Sequence, residues 1–345
     1  MRTMKGIYTI LYIIMAMVGC MSLMACAEQG EWMDDNSISL RAEVERVAPM
    51  SRSGNYAEPV ADNNLRAMVW FSFDQDEYPE GSIYPTETNI PGHYVIDFKG
   101  EEAAFPNVTN ENMRPRYPID NTPVYCVGFY PYEGWEGWNN NDSKVTHEIT
   151  GFVDLMYAPP IIGSWNNHFD KHQFLHLLTW LKVCVCATTT EAGNYWGRLK
   201  RITLKDVPQR LQINDLSKMQ SDYGKKITSD DISPLKDAEG NSIIHSVDIL
   251  NNDPGIDLGI NLQDVGSIFC YPQSSYTIVV ECENGKTIDI PIVLQPLVGS
   301  GEVGFPAGAQ YVLTLNFKPY NVVEGVCTLQ EWNAQNEDLY PDAQP

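Results

Sequence analysis

Basic side chains are scarce. The 345 residues carry 23 Lys and Arg against 45 Asp and Glu, a formal charge of −22. Such a surface repels nucleic acid and anionic lipid headgroups, so nucleic acid is not expected as a partner. Beyond Leu23 no stretch is long and apolar enough for a helix to cross a bilayer. No Cys-x-x-Cys pair occurs, which removes the usual signature of a structural zinc site. G-x-S-x-G, H-E-x-x-H and a phosphate-cradling glycine loop are also missing. With 45 acidic residues, no carboxylate pair stands out for glycoside hydrolysis. The expectation is a chain that is not an enzyme, with no catalytic residue, no metal ligands and no cofactor.

What is present begins at the N-terminus. Arg2 and Lys5 form a basic head, and an apolar run extends from Ile7 to about Leu23. That layout is a secretory signal peptide. Leu23-Met24-Ala25-Cys26 resembles a bacterial lipobox, in which cleavage precedes the cysteine and its thiol takes a lipid. Residues 1–25 are therefore read as the signal peptide, with Cys26 as the lipidation site and the lipid as the membrane attachment. Glu28, Glu31, Asp34 and Asp35 follow, an acidic stretch that resembles the surface-export signal of lipoproteins in the Bacteroides group.

The body reads as β-sheet. Its 22 prolines and 25 glycines are scattered through the chain, as many turns require. Between them lie short apolar runs rich in β-branched and aromatic residues: 67–74, 93–98, 124–132, 145–158, 175–187, 199–207, 242–250, 275–282, 286–294 and 310–318. This spacing predicts all-β sandwiches. In 310–318, Tyr311, Leu313, Leu315 and Phe317 share one face, the signature of a half-buried strand. Residues 275–294 predict a hairpin around Glu283-Asn284-Gly285. After Cys20 and Cys26, six cysteines remain, mostly in strand-like runs, and they are expected as buried free thiols.

His168, His172 and His176 recur at steps of four, which on a helix would stack three imidazoles for a metal. The run 175–187 that follows has Val183, Val185 and Thr179, and it alternates as a strand apolar on both faces. In a strand His172 and His176 lie about 13 Å apart and cannot share a metal. His168 and His172 are expected on a solvated connector, and His176 within the strand. Asp230-Asp231 and Asn251-Asn252-Asp253 lack the spacing of a calcium loop and read as solvated turns.

Several stretches carry a family resemblance. Phe174, His176, Leu178, Thr179 and Leu181 match a strand of the fimbrillins, the lipoprotein pilins of type V fimbriae in Bacteroides and Porphyromonas relatives. Asp154-Leu155-Met156-Tyr157-Ala158 resembles a second family segment. Residues 117–120 and 129–132 resemble a third, and 310–318 with Trp332 resemble the closing pair of strands. The resemblance implies two tandem transthyretin-like β-sandwiches, at 56–168 and 169–335, after a tether or propeptide at 26–55 and before a polar tail at 336–345. It implies a fimbrial structural or adhesive subunit at the outer membrane and cell surface. Its partners would be other fimbrial subunits, the outer membrane through lipid, and a host or bacterial surface receptor. It further implies cleavage after an arginine in the N-terminal segment, loss of one strand, and filling of the groove by a strand of the next subunit.

Arg46 and Arg52 are the candidate processing sites. Ile38, Leu40, Ala42 and Val44 alternate with Ser39, Arg41, Glu43 and Glu45, so 38–45 fits a displaceable strand. The tail after Trp332 lacks alternation, so 310–318 or the strand near Cys327 would have to donate. The alternative is a surface lipoprotein that binds glycans without polymerising. Its contacts would come from the loop at 130–142, through Tyr132, Trp135 and Trp138, because exposed rings beside amides stack on sugars.

Overall fold

The computed structural model describes residues 37–44, 65–73, 93–99, 102–106, 108, 114–136, 144–214, 227–294 and 307–330. The chain first forms β1 (Arg41–Val44), β2 (Leu65–Ser72), β3 (His93–Lys99), β4 (Glu102–Ala104), β5 (Val124–Tyr130), β6 (Val145–Glu148), β7 (Met156–Gly163) and β8 (Lys171–His176). Next come β9 (Thr179–Ala187), a short helix α1 (Thr190–Trp196), β10 (Arg198–Pro208), β11 (Arg210–Ile213) and β12 (Ile232–Pro234). The last strands are β13 (Ile244–Asp257), β14 (Gln263–Cys270), β15 (Ser275–Cys282), β16 (Thr287–Val293), β17 (Gln310–Lys318) and β18 (Val322–Gln330). The all-β class read from the sequence is the class observed.

A seven-stranded sheet runs in the order β1-β8-β7-β5-β2-β3-β4. It curls until its end strands, β1 and β4, lie against each other. Strand alternation explains why both its faces are apolar. On β2, Leu65, Ala67, Val69 and Phe71 point into the curl, while Met68 and Trp70 point out of it. The inner core also takes Tyr94, Ile96, Phe98, Tyr117 and Phe174. The outer core is shared with the small sheet β12-β11-β6, through Val145, Leu211, Ile213 and Ile232, and with Trp180, Phe269 and Tyr271.

Two four-stranded sheets, β13-β10-β15-β16 and β14-β9-β17-β18, face each other across a third core. β17 is central. Tyr311, Leu313, Leu315 and Phe317 are fully buried and alternate with half-buried residues, as the sequence pattern requires. β15 and β16 form the expected hairpin, and Gly285 (φ +81°) supplies the left-handed turn residue. All six described cysteines are free thiols. Burial pushes Cys184 and Cys282 up to about 11 and Cys270 up to about 12, so they stay protonated at neutral pH.

Two expected strands are each two. The run 145–158 divides into β6 and β7, which belong to different sheets, with a turn at Gly151 (φ +89°) between them. The run 175–187 divides at Leu177-Leu178, where the chain leaves the seven-stranded sheet and enters the C-terminal one. The boundary expected after residue 168 thus falls inside the seven-stranded sheet, because β8 pairs with β7 and β1. β9 itself is buried on both faces as expected. Its one charge, Lys182, pairs with Asp264 at 2.8 Å.

Candidate functional site: the β1 edge and the aromatic loop

β1 ends the seven-stranded sheet and lies parallel to β8, with Arg41 opposite Lys171, Ala42 opposite His172, Glu43 opposite Gln173 and Val44 opposite Phe174. The expected alternation holds at the described side chains. Ile38 and Leu40 are buried in the inner core and Ala42 packs against it, while Ser39 and Arg41 face solvent. The Ile38 amide donates to the Pro115 carbonyl at 2.8 Å, which fixes the entry of the strand. Burying two branched side chains contributes about 1.5–3 kcal/mol each, so two anchors hold a strand of only four paired residues.

β8 is the seat of that strand. Only its last two residues, Leu175 and His176, are in register with β7. Lys171–Phe174 therefore take their strand pairing from β1. Phe174 is fully buried, stacks edge-on to Phe98 at 5.9 Å, and lies on the bare backbone of Gly128, where a Cβ would stand 2.9 Å from its ring. Withdrawal of β1 would open this edge in two ways: unpaired backbone groups on β8, and the apolar slot vacated by Ile38 and Leu40.

The three histidines are dispersed. His172, expected on a solvated connector, is a fully buried strand residue, because β8 starts at Lys171 and the even positions face the inner core. Its Nε2 lies 2.9 Å from the Pro159 carbonyl, and burial pushes its pKa down to about 4. His168 is exposed, as expected, and stacks on Tyr117 at 5.0 Å. His176 lies in the strand and is fully buried, with Nδ1 2.7 Å from Asp154 Oδ2. A carboxylate only accepts, so Nδ1 carries the hydrogen and Asp154 fixes the ring orientation. This contact joins the two stretches that carry the family resemblance most visibly. Met156 and Tyr157 also pair with His176 and Leu175. The motifs thus build the corner where the chain changes sheets.

The aromatic loop is not an open platform at Trp135. That residue is 8% exposed, its ring packs on Phe129 at 5.1 Å and His147 at 4.9 Å, and its Nε1 donates to the Pro131 carbonyl at 3.0 Å. Gly134 (φ +87°) permits this closure, since a Cβ there would meet the His147 ring at 2.6 Å. Trp135 is thus a core residue, and the expected sugar contact has no free ring face there. Tyr132 is half-buried beneath the Arg66 guanidinium, 4.8 Å from the ring centre. Trp138, Cys26, Arg46 and Arg52 lie outside the described residues.

Asp231 is a turn cap, its Oδ2 accepting from the Thr228 amide at 2.8 Å and hydroxyl at 2.7 Å. Among the described residues no cluster of His, Cys, Asp and Glu has a metal-holding geometry, and no helix is long and apolar enough to cross a membrane.

The chain is all-β, with a curled seven-stranded sheet and a facing pair of four-stranded sheets, and solved structures share this fold. A "putative cell adhesion protein" from Bacteroides uniformis superposes over 86% of this chain and 100% of its own, with TM-score 0.51 and 13% identity. Another so described, from Bacteroides ovatus, matches over 88% of this chain and 99% of its own, with TM-score 0.51 and 15% identity. The tip fimbrial protein Mfa3 from Porphyromonas gingivalis, truncated at its C-terminus, aligns over 86% of this chain and 98% of its own, at 8% identity and TM-score 0.38. No protein-family model matches the chain, and no curated protein matches it in sequence.

Proposed function

We propose that this protein is a fimbrial structural or adhesive subunit. It is exported as a lipoprotein through Cys26 and assembled by strand exchange after cleavage at Arg46 or Arg52. It carries no enzymatic activity in this reading. The observation that supports it is β1: a four-residue edge strand, immediately ahead of Arg46, plugged into the core by Ile38 and Leu40. A cut at Arg46 frees that strand from the body. The vacated slot then takes a strand from the next copy, by the strand-addition physics that governs open sheet edges. Such a contact joins two different surfaces, so it propagates into a filament.

β18 is the better donor of the two C-terminal strands. β17 lies between β9 and β18 and fills the core, so its removal would dismantle the sandwich. Among the described residues β18 has one strand neighbour, and Val322, Val326 and Leu329 are exposed on it. The mass and N-terminal sequence of the protein from its native cell surface test the proposal. A lipid-free chain starting at Val47 or Ser53 is expected for an assembled subunit. A chain that keeps lipidated Cys26, in a protein that stays monomeric, would overturn the strand-exchange reading.

A further inference from the structure

A second feature lies on the outer face of the C-terminal sandwich, away from β1. Outward-facing residues of β10, β13, β15 and β16 form the floor of an open groove of about 820 Å³, and the loop 148–152 forms one wall. Sites for small ligands commonly occupy about 300–1,000 Å³. The loop is fixed, because the Gly151 carbonyl accepts from the Phe269 amide at 2.8 Å and the residue's bare Cα packs against Val247. That anchoring holds Phe152 at the rim with 41% of its surface exposed.

The floor is an ordered array of donors and acceptors. Sheet register sets Asn251, Arg201 and Glu281 in one row and Asp248, Thr203 and Val279 in the next. Asp248 accepts from Thr203 Oγ1 at 2.7 Å and Asn251 Nδ2 at 2.9 Å. Arg201 is held loosely. Its Nε stands 3.6 Å from Asp248 and makes no hydrogen bond, and its Nη1 stands 3.9 Å from Glu281. Both distances exceed hydrogen-bond range, so the guanidinium keeps donor capacity to spend. His245 Nε2, at the edge of the groove, also lacks a partner.

Charge selects the ligand class. A free anion would meet Glu148, Asp248, Glu281 and Asp289. A free cation would have to displace the partners these carboxylates already have, Arg201 at Asp248 and Glu281, Lys205 at Asp289 and the Gln209 amide at Glu148. A neutral polyhydroxyl compound avoids both penalties, because each hydroxyl donates to a carboxylate and accepts from a guanidinium or imidazole N–H. Its C–H face would rest on Phe152 and Val279. We infer that this groove binds a neutral oligosaccharide, with Arg201, Asp248 and Phe152 as the main contacts. The inference deepens the adhesive part of the reading above. It rests on that reading for display at the cell surface and not for polymerisation.

The test is binding of the whole secreted chain to an array of neutral oligosaccharides built from galactose, mannose, fucose and N-acetylglucosamine, printed beside sialylated and sulfated counterparts. The strongest array hit is then titrated by calorimetry. Arg201→Ala and Phe152→Ala are each expected to weaken binding about tenfold or more, and Tyr132→Ala to leave it unchanged. Unchanged melting midpoints would show that the variants fold. If Phe152→Ala melts early, Phe152→Leu carries the test, since it keeps apolar bulk without a ring. The inference is overturned if no neutral glycan binds, if only charged glycans bind, or if Tyr132→Ala abolishes binding while Arg201→Ala does not. A monomer that binds glycan would leave the inference standing while strand exchange fails. A polymer that binds none would do the reverse.

Discussion

The edges at β1 and β18 are held by different physics. β1 has four residues in register, yet Ile38 and Leu40 just ahead of them are almost wholly buried. β18 has nine residues in unbroken antiparallel register with β17, from Gln310–Gln330 to Lys318–Val322, yet most of it is exposed. Side chains plugged into the core hold the first, and a backbone ladder on a sheet edge holds the second. Ile38 and Leu40 belong to the inner core, whereas Val322, Val326 and Leu329 of β18 are already exposed and only Val323 and Cys327 are packed, part-buried, against the core beneath. A β-branched strand on one copy and a vacated slot on another are therefore complementary.

The comparison breaks first at Phe174, which is fully buried in the same core as Ile38 and Leu40. Phe174→Ala is expected to cost about 3–5 kcal/mol in urea unfolding, and a cost near zero would mean that the slot is not part of the core. Leu40→Ala comes next, at about 2–4 kcal/mol, and it should also raise strand-exchange rates by loosening β1.

Acid probes the same edge without mutation. The unfolded chain takes up a proton at His172 near its ordinary value of 6.5, whereas the folded chain does so only near about 4. Between those values the unfolded state binds more protons, so stability falls as pH falls from about 6.5 to about 4. The full loss is roughly 3 kcal/mol, and His172→Gln should remove that pH term from the unfolding curves. The smallest effect is expected at the other edge. Val326→Thr on β18 should change stability by less than about 0.5 kcal/mol, and a cost like that of Leu40→Ala would erase the distinction between the two edges.

Much of the strand framework was legible because alternation survives where one face is buried. The β17 pattern, the β15–β16 hairpin and the two faces of β1 all follow from period-two spacing. The misread places share a cause. Ile149 and Leu155 are buried although they lie between strands, and so are Leu177 and Leu178, so apolar runs continue through corners where the chain changes sheets. β14 shows no alternation to read, because it begins with polar Gln263 and Asp264 and bends at Gly266 (φ +152°). At the candidate site, the β1 strand was readable from local sequence. Its seat on β8 was not, since β8 opens with polar Lys171, His172 and Gln173 and its apolar residues run on into β9. The aromatic loop misled because composition does not reveal which rings are covered. The groove was invisible for the opposite reason: Phe152, Arg201, Asp248 and Glu281 are far apart in sequence and meet only through sheet register.

The most direct test of a replaceable β1 is amide hydrogen exchange across Lys171–Phe174 in a chain that begins at Val47. The Lys171 amide donates to Asp170 Oδ1 at 2.8 Å, but those of the other amides that face β1 should exchange freely in the shortened monomer and regain protection when a peptide spanning residues 37–46 is added or when the protein assembles. Protection equal to that of the intact chain, in a shortened protein that stays monomeric, would contradict the account.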